Sequence, residues 1–112
     1  MSFERILSSH GAARPTELAF DRRELSMILN VYGRMVAAGE WRDYAIDHRQ
    51  NRAVFSIYRG STEHPIYRVE KVCEGKQTGY SVVGMDGYIL QRGRDLRQVL
   101  RVLERKLIRL VV

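Results

Sequence analysis

The chain has 112 residues, 45% apolar and 29% charged, which suits one globular domain with a real core and argues against overall disorder. Its net charge is +6, carried by 16 arginines against 3 lysines, and no apolar run approaches the roughly 20 residues that span a bilayer. A single cysteine, Cys73, excludes an internal disulfide and a thiolate zinc cage.

Residues 1–19 read as a flexible tail and residues 20–112 as a single domain. Ser8 to Pro15 is small, polar and punctuated, with no sustained period. Residues 1–7 carry an early acid and no continuous apolar stretch, so no secretory signal is read there and a cytoplasmic location is expected. The stretch Thr16 to Phe20 is expected to enter the fold extended.

The first helix is announced by Asp21 with Glu24 three residues on, a capping box in which Asp stands for Ser or Thr. Leu25, Ile28, Leu29, Tyr32 and Val36 recur at helical spacing, and Gly39 supplies a left-handed stop. A second row, Met27, Val31 and Ala38, reads as a further core contact or a dimer seam, with core favoured.

Short alternating runs follow: Trp41 to His48, Arg52 to Arg59, Ile66 to Val72, Tyr80 to Met85 and Tyr88 to Arg92. In the second, Ala53, Phe55 and Ile57 oppose Val54, Ser56 and Tyr58. Arg49-Gln50-Asn51 reads as a hairpin connection, Glu74 to Gly79 as a loop, and Asp86-Gly87 as a two-residue type I′ turn. Connections this short leave no room for crossover helices, so the sheet is expected to be antiparallel. Asp95 is the expected N-cap of a last helix, in which Leu96, Val99, Leu100, Leu103, Leu107 and Leu110 fall in one arc. The expected fold is α+β: a two-layer sandwich of about five short strands, with the N-terminal and C-terminal helices on one face.

The residues from Phe20 to Leu25, from Tyr32 to His48, from Arg52 to Ser56, from Tyr67 to Lys71 and from Tyr80 to Val83 are similar to blocks of a family of short, uncharacterised proteins found mainly in alphaproteobacteria. The likeness covers roughly residues 18 to 110. The resemblance implies a bacterial, cytosolic origin. It supplies no functional residue. It also offers a second explanation for the arginines, because GC-rich genomes favour arginine codons.

Chemistry-bearing constellations are sparse. Asp43 and Asp47 share a strand face but lie about 13 Å apart, too far for a paired-carboxylate mechanism. Asp47 and His48 point to opposite faces, and the glycines form no phosphate loop. Tyr44, Tyr58, Tyr67, Tyr80 and Tyr88 interleave with Arg42, Arg59, Arg68 and Arg92, as in sheets that stack bases, yet no RNA-recognition consensus is present and tyrosine is an ordinary strand residue. The last helix bears Arg97, Arg101, Arg105 and Arg109 at i, i+4 spacing, with Arg94 just before it. From Arg94 onward six basic residues face two acidic ones, so this segment holds most of the net charge. Such a face points to an anionic partner, although the helix dipole also favours cations near the C-terminus.

The chain is therefore expected to be a non-catalytic binding or adaptor domain that engages an acidic protein or self-associates. The alternative is a nucleic-acid-binding module using the basic face of the last helix. The candidate partner-binding residues are Arg94, Arg97, Arg101, Arg105 and Arg109. No catalytic residue, cofactor, metal or small-molecule site is expected.

Overall fold

The structure, a computed structural model, describes residues 17–60 and 64–111, with side chains described as far as Arg105. The element order is α1 (Arg22–Ala37), β1 (Asp43–His48), β2 (Arg52–Tyr58), β3 (Tyr67–Glu74), β4 (Gln77–Gly84), β5 (Ile89–Gly93) and α2 (Leu96–Val111). The five strands form one antiparallel sheet in the order β1-β2-β3-β4-β5. The α+β architecture expected from the sequence is the one observed.

Helix α1 begins as its first residues dictate. The Glu24 amide donates to Asp21 Oδ1 at 2.8 Å, and the Asp21 amide donates to Glu24 Oε1 at 2.7 Å. Its end is a Schellman closure: Gly39, with φ of +79°, donates to Val36 O, and Glu40 donates to Met35 O, both at 2.9 Å. The buried face of α1 differs from the expected row. Ile28, Val31 and Met35 are buried together with Glu24, whereas Leu29 and Val36 are 39% and 40% exposed. The two competing apolar rows lie about 140° apart on the helix wheel, and docking onto the sheet buries the arc between them rather than the richer row.

One face of the sheet packs on both helices. Strand register places Tyr44, Ile46, Phe55, Ile57, Val69 and Val82 on that face, where they meet Ile28, Val31 and Met35 of α1 and Leu96, Val99, Leu100 and Leu103 of α2. Phe55 stacks on Tyr44 with ring centroids 4.8 Å apart, and Tyr32 meets Tyr44 edge-on at 5.0 Å. Three of the strand tyrosines, Tyr44, Tyr67 and Tyr80, are thus packed against the core and are not a base-stacking surface. Leu107 and Leu110 lie outside the described side chains.

Two turns depart from expectation. Residues 74–79 hold a tight hairpin rather than a loop, because Glu74 pairs with Gln77 across Gly75-Lys76. Gly75 has φ of +63° and Lys76 does not share it, as a type II′ turn requires. At Asp86-Gly87 only Gly87 has positive φ (+87°), so the turn is not type I′. Gly84 instead pairs across it with Tyr88, and the register slips between Val82 and Val83. The resulting bulge leaves Leu90 unpaired.

The chain enters the sheet through residues 17–20. The Leu18 amide donates to Arg49 O at 2.8 Å, and Phe20 is buried. The first sixteen residues, on which most of the tail expectation falls, lie outside the described residues.

Candidate functional site

Three groups of charged side chains stand out, and each is built by a different part of the fold. The first is internal. Lys71 is on the helix-facing side of β3, in register with Tyr80 of β4. Its Nζ donates to Glu24 Oε1 at 2.8 Å and to Ala19 O at 2.9 Å, and the Tyr80 hydroxyl donates to Glu24 Oε2. Glu24 is only 6% exposed. Burial, followed by the hydrogen bond to the Glu24 carboxylate, pushes the Tyr80 phenol well above its ordinary value. Lys71, Tyr80 and Glu24 are thus bound to one another inside the protein, so the cluster joins α1 to the sheet. Glu24 therefore has two tasks, capping its own helix and neutralising a buried lysine.

The second group is the ridge on α2. Asp95 caps this helix as expected, accepting from the Arg97 amide at 3.0 Å. Buried Leu96, Val99, Leu100 and Leu103 turn Arg97, Arg101 and Arg105 outward, and all three are exposed. None of them forms an ion pair with another described residue. Glu104 is the only acid on this helix. It is drawn away from the row to Arg34 of α1, 3.3 Å from its Nη2. Arg94 is set apart from the ridge: its guanidinium donates to Gln77 Oε1 at 2.6 Å on the β4 side. The Arg109 side chain lies outside the described residues.

The third group occupies the sheet face that no helix covers. Register aligns Val54, Glu70, Ser81 and Arg92 in one row across β2 to β5, and Ser56, Arg68, Val83 and Ile89 in the next. Glu70 is 6% exposed although it sits on this open face. Its Oε1 accepts from Arg52 Nη1 at 2.8 Å and its Oε2 from Arg68 Nε at 3.1 Å. The twisted sheet is hollowed here into a groove of about 590 Å³, reached also by Arg92 and Arg94. This arrangement was not legible from the sequence as a unit, because it brings together four strands through their register. The available signal was the shared parity of Arg68 and Glu70 on one strand and of Arg52 on its neighbour.

Among the described residues, no group of three or more His, Cys, Asp or Glu side chains is placed to hold a metal ion. No helix among them is long and apolar enough to cross a membrane.

Comparison with known families places this geometry in context. Residues 18–100 match the family described as "Protein of unknown function (DUF2794)", and the chain belongs to that family. The match starts at Leu18, whose amide is bound to Arg49, and runs into the second turn of α2. Neither a curated protein nor a solved structure shows significant similarity to the chain.

Proposed function

We propose that this member of the family is a non-catalytic binding domain that engages an acidic protein partner along the outer face of α2. One observation carries the reading. Arg97, Arg101 and Arg105 stand exposed on successive turns with no acid among the described residues to answer them, while Glu104 pairs with Arg34 instead. Like charges at i, i+4 each cost about 0.2–0.5 kcal/mol in a helix, and an acidic partner removes that cost on binding. Arg109 extends the row by one turn in the sequence.

A protein partner is favoured over a nucleic acid by the size of the ridge. Arg97 to Arg105 spans about 12 Å in a single line. Duplex-binding proteins that neutralise about six to ten phosphates need more cations than one such row provides.

The experiment is fluorescence anisotropy with a glutamate-rich peptide and, separately, a mixed-sequence DNA duplex, each over a salt series. The peptide is expected to bind saturably to the wild-type protein and to lose binding in the Arg101→Glu, Arg105→Glu variant. Tighter binding to the duplex, with a steep salt slope lost in the same variant, replaces the protein partner with a nucleic acid. Binding of neither probe, or binding unchanged by the double charge reversal, refutes the ridge as a contact surface.

A further inference from the structure

The groove on the uncovered sheet face is separate from the α2 ridge and is lined by four arginines. One arginine suffices to neutralise Glu70, yet Arg52 and Arg68 both bind it. Each spends one N–H on the carboxylate, and a guanidinium carries five. Both arginines line the groove, with side chains that are 43% and 39% exposed. Buried Glu70 thus holds two guanidiniums in place on the groove wall. Arg92 stands two strands away in the Glu70 row, about 10 Å across the sheet, and has no ion-pair partner among the described residues. With Arg94, four cations surround the groove against two carboxylates, those of Glu70 and Glu74. A concave surface with that imbalance concentrates anions.

Two further features give the ligand its shape. The volume of about 590 Å³ lies within the range of small-molecule sites. Ile89, which is 49% exposed, pairs with buried Val83 beside Arg68, so an exposed apolar side chain adjoins the cations. Gly79 of strand β4 also lines the groove, and a glycine in a strand leaves room for close approach. A β-carbon built there meets only Gly93 O, at 3.8 Å, so the space above Gly79 is open.

We propose that this groove binds a small amphiphilic anion, a phosphate monoester or carboxylate carrying an apolar body. Arg52, Arg68 and Arg92 hold the oxyanion, and Ile89, backed by Val83, supports the apolar part. Planar guanidinium forks match the oxygens of either head group.

The test is titration of the isotope-labelled protein with phenyl phosphate, phenylacetate, inorganic phosphate and benzyl alcohol, followed by amide resonances. Phenyl phosphate or phenylacetate is expected to shift Gly79, Ser81, Val83, Ile89 and Arg92 saturably at millimolar concentration, and the stronger of the two identifies the head group. Arg92→Gln is expected to weaken that binding about tenfold, as loss of one charge-assisted contact does. Gly79→Val narrows the groove and is expected to weaken binding while the fold is retained, since valine suits a strand. Arg97→Gln with Arg101→Gln on α2 is expected to leave the binding intact, which separates this groove from the protein-binding ridge. The proposal is overturned if no probe gives a saturable shift, or if Arg92→Gln and Gly79→Val bind as wild type does. It is equally overturned if inorganic phosphate or benzyl alcohol binds as tightly as the amphiphilic anions, or if the shifts cluster on residues 97–105.

Discussion

Lys71 of β3 and Glu24 of α1 meet at 2.8 Å across the interface between the sheet and the helices, 47 positions apart in the chain. They are respectively 12% and 8% exposed at the side chain. Removing one partner from such a pair leaves a charge without compensation in a poorly solvated place, which costs about 3–5 kcal/mol. Lys71→Met is therefore expected to lower unfolding free energy by about 3 kcal/mol or more, measured by urea denaturation. Adding Glu24→Gln to Lys71→Met is expected to restore part of that loss. Additive losses in the two single variants and the double variant would show that the pair is not coupled.

The exposure of α1 yields a direct contrast. Met35→Ala removes a buried side chain and is expected to cost about 2–5 kcal/mol. Leu29→Gln and Val36→Gln, on the outward arc, are expected to change stability by no more than about 0.5 kcal/mol each. Chemical denaturation of the three variants checks the orientation of the helix, and the reverse ranking would place the richer apolar row inside.

Tyr80 and Tyr32 link stability to alkaline pH. Burial is the main cause that raises both phenols above the ordinary 10.0, aided by Glu24 and Asp21 at Tyr80 and by Asp43 and Tyr44 at Tyr32. The folded protein therefore keeps protons that the unfolded chain has lost above about pH 10. This contribution to stability is complete below the unfolded value and falls away as pH rises through the folded value. Urea midpoints measured between about pH 9 and about pH 12 are expected to decline, and Tyr80→Phe is expected to flatten the decline. At neutral pH the same variant is expected to lose about 1.5–3 kcal/mol, as befits a hydrogen bond to a carboxylate.

The arginine ridge carries a stability cost that does not depend on what binds it. Arg101→Glu replaces two like-charge i, i+4 neighbours with two attractive ones, to Arg97 and Arg105. A gain of about 0.8–2 kcal/mol in thermal or urea unfolding is expected. A loss of stability instead would mean that Arg101 is held by a favourable contact of its own.

Local signals in the sequence led to most of the elements. The capping box at Asp21, the stop at Gly39, the hairpin at residues 49–51 and the Asp95 cap are all governed by neighbouring residues, and each is observed. Features decided by packing were less legible. On α1 two apolar rows compete, and only docking against Phe55 and Ile57 selects between them. Lys71 interrupts an apolar alternation on β3, and nothing near it in sequence announces that Glu24 waits on the opposite layer. The Gly75-Lys76 turn was obscured because lysine and glycine together resemble a longer loop. The groove arginines depend on four strands falling into register, which no single segment encodes.

The sheet order has a kinetic consequence. Each strand pairs only with its neighbour in sequence, so the sheet can zip together hairpin by hairpin with short loop closures. The distant closure is α1 against α2, where Arg34 reaches Glu104 across 70 positions. The β3–β4 hairpin, closed by two residues, is therefore expected to form early, with docking of the two helices after it. Substitutions in that hairpin should then slow refolding, whereas those between the helices should mainly hasten unfolding. On that order, the ridge on α2 is expected to take its place only once the sheet beneath it has formed.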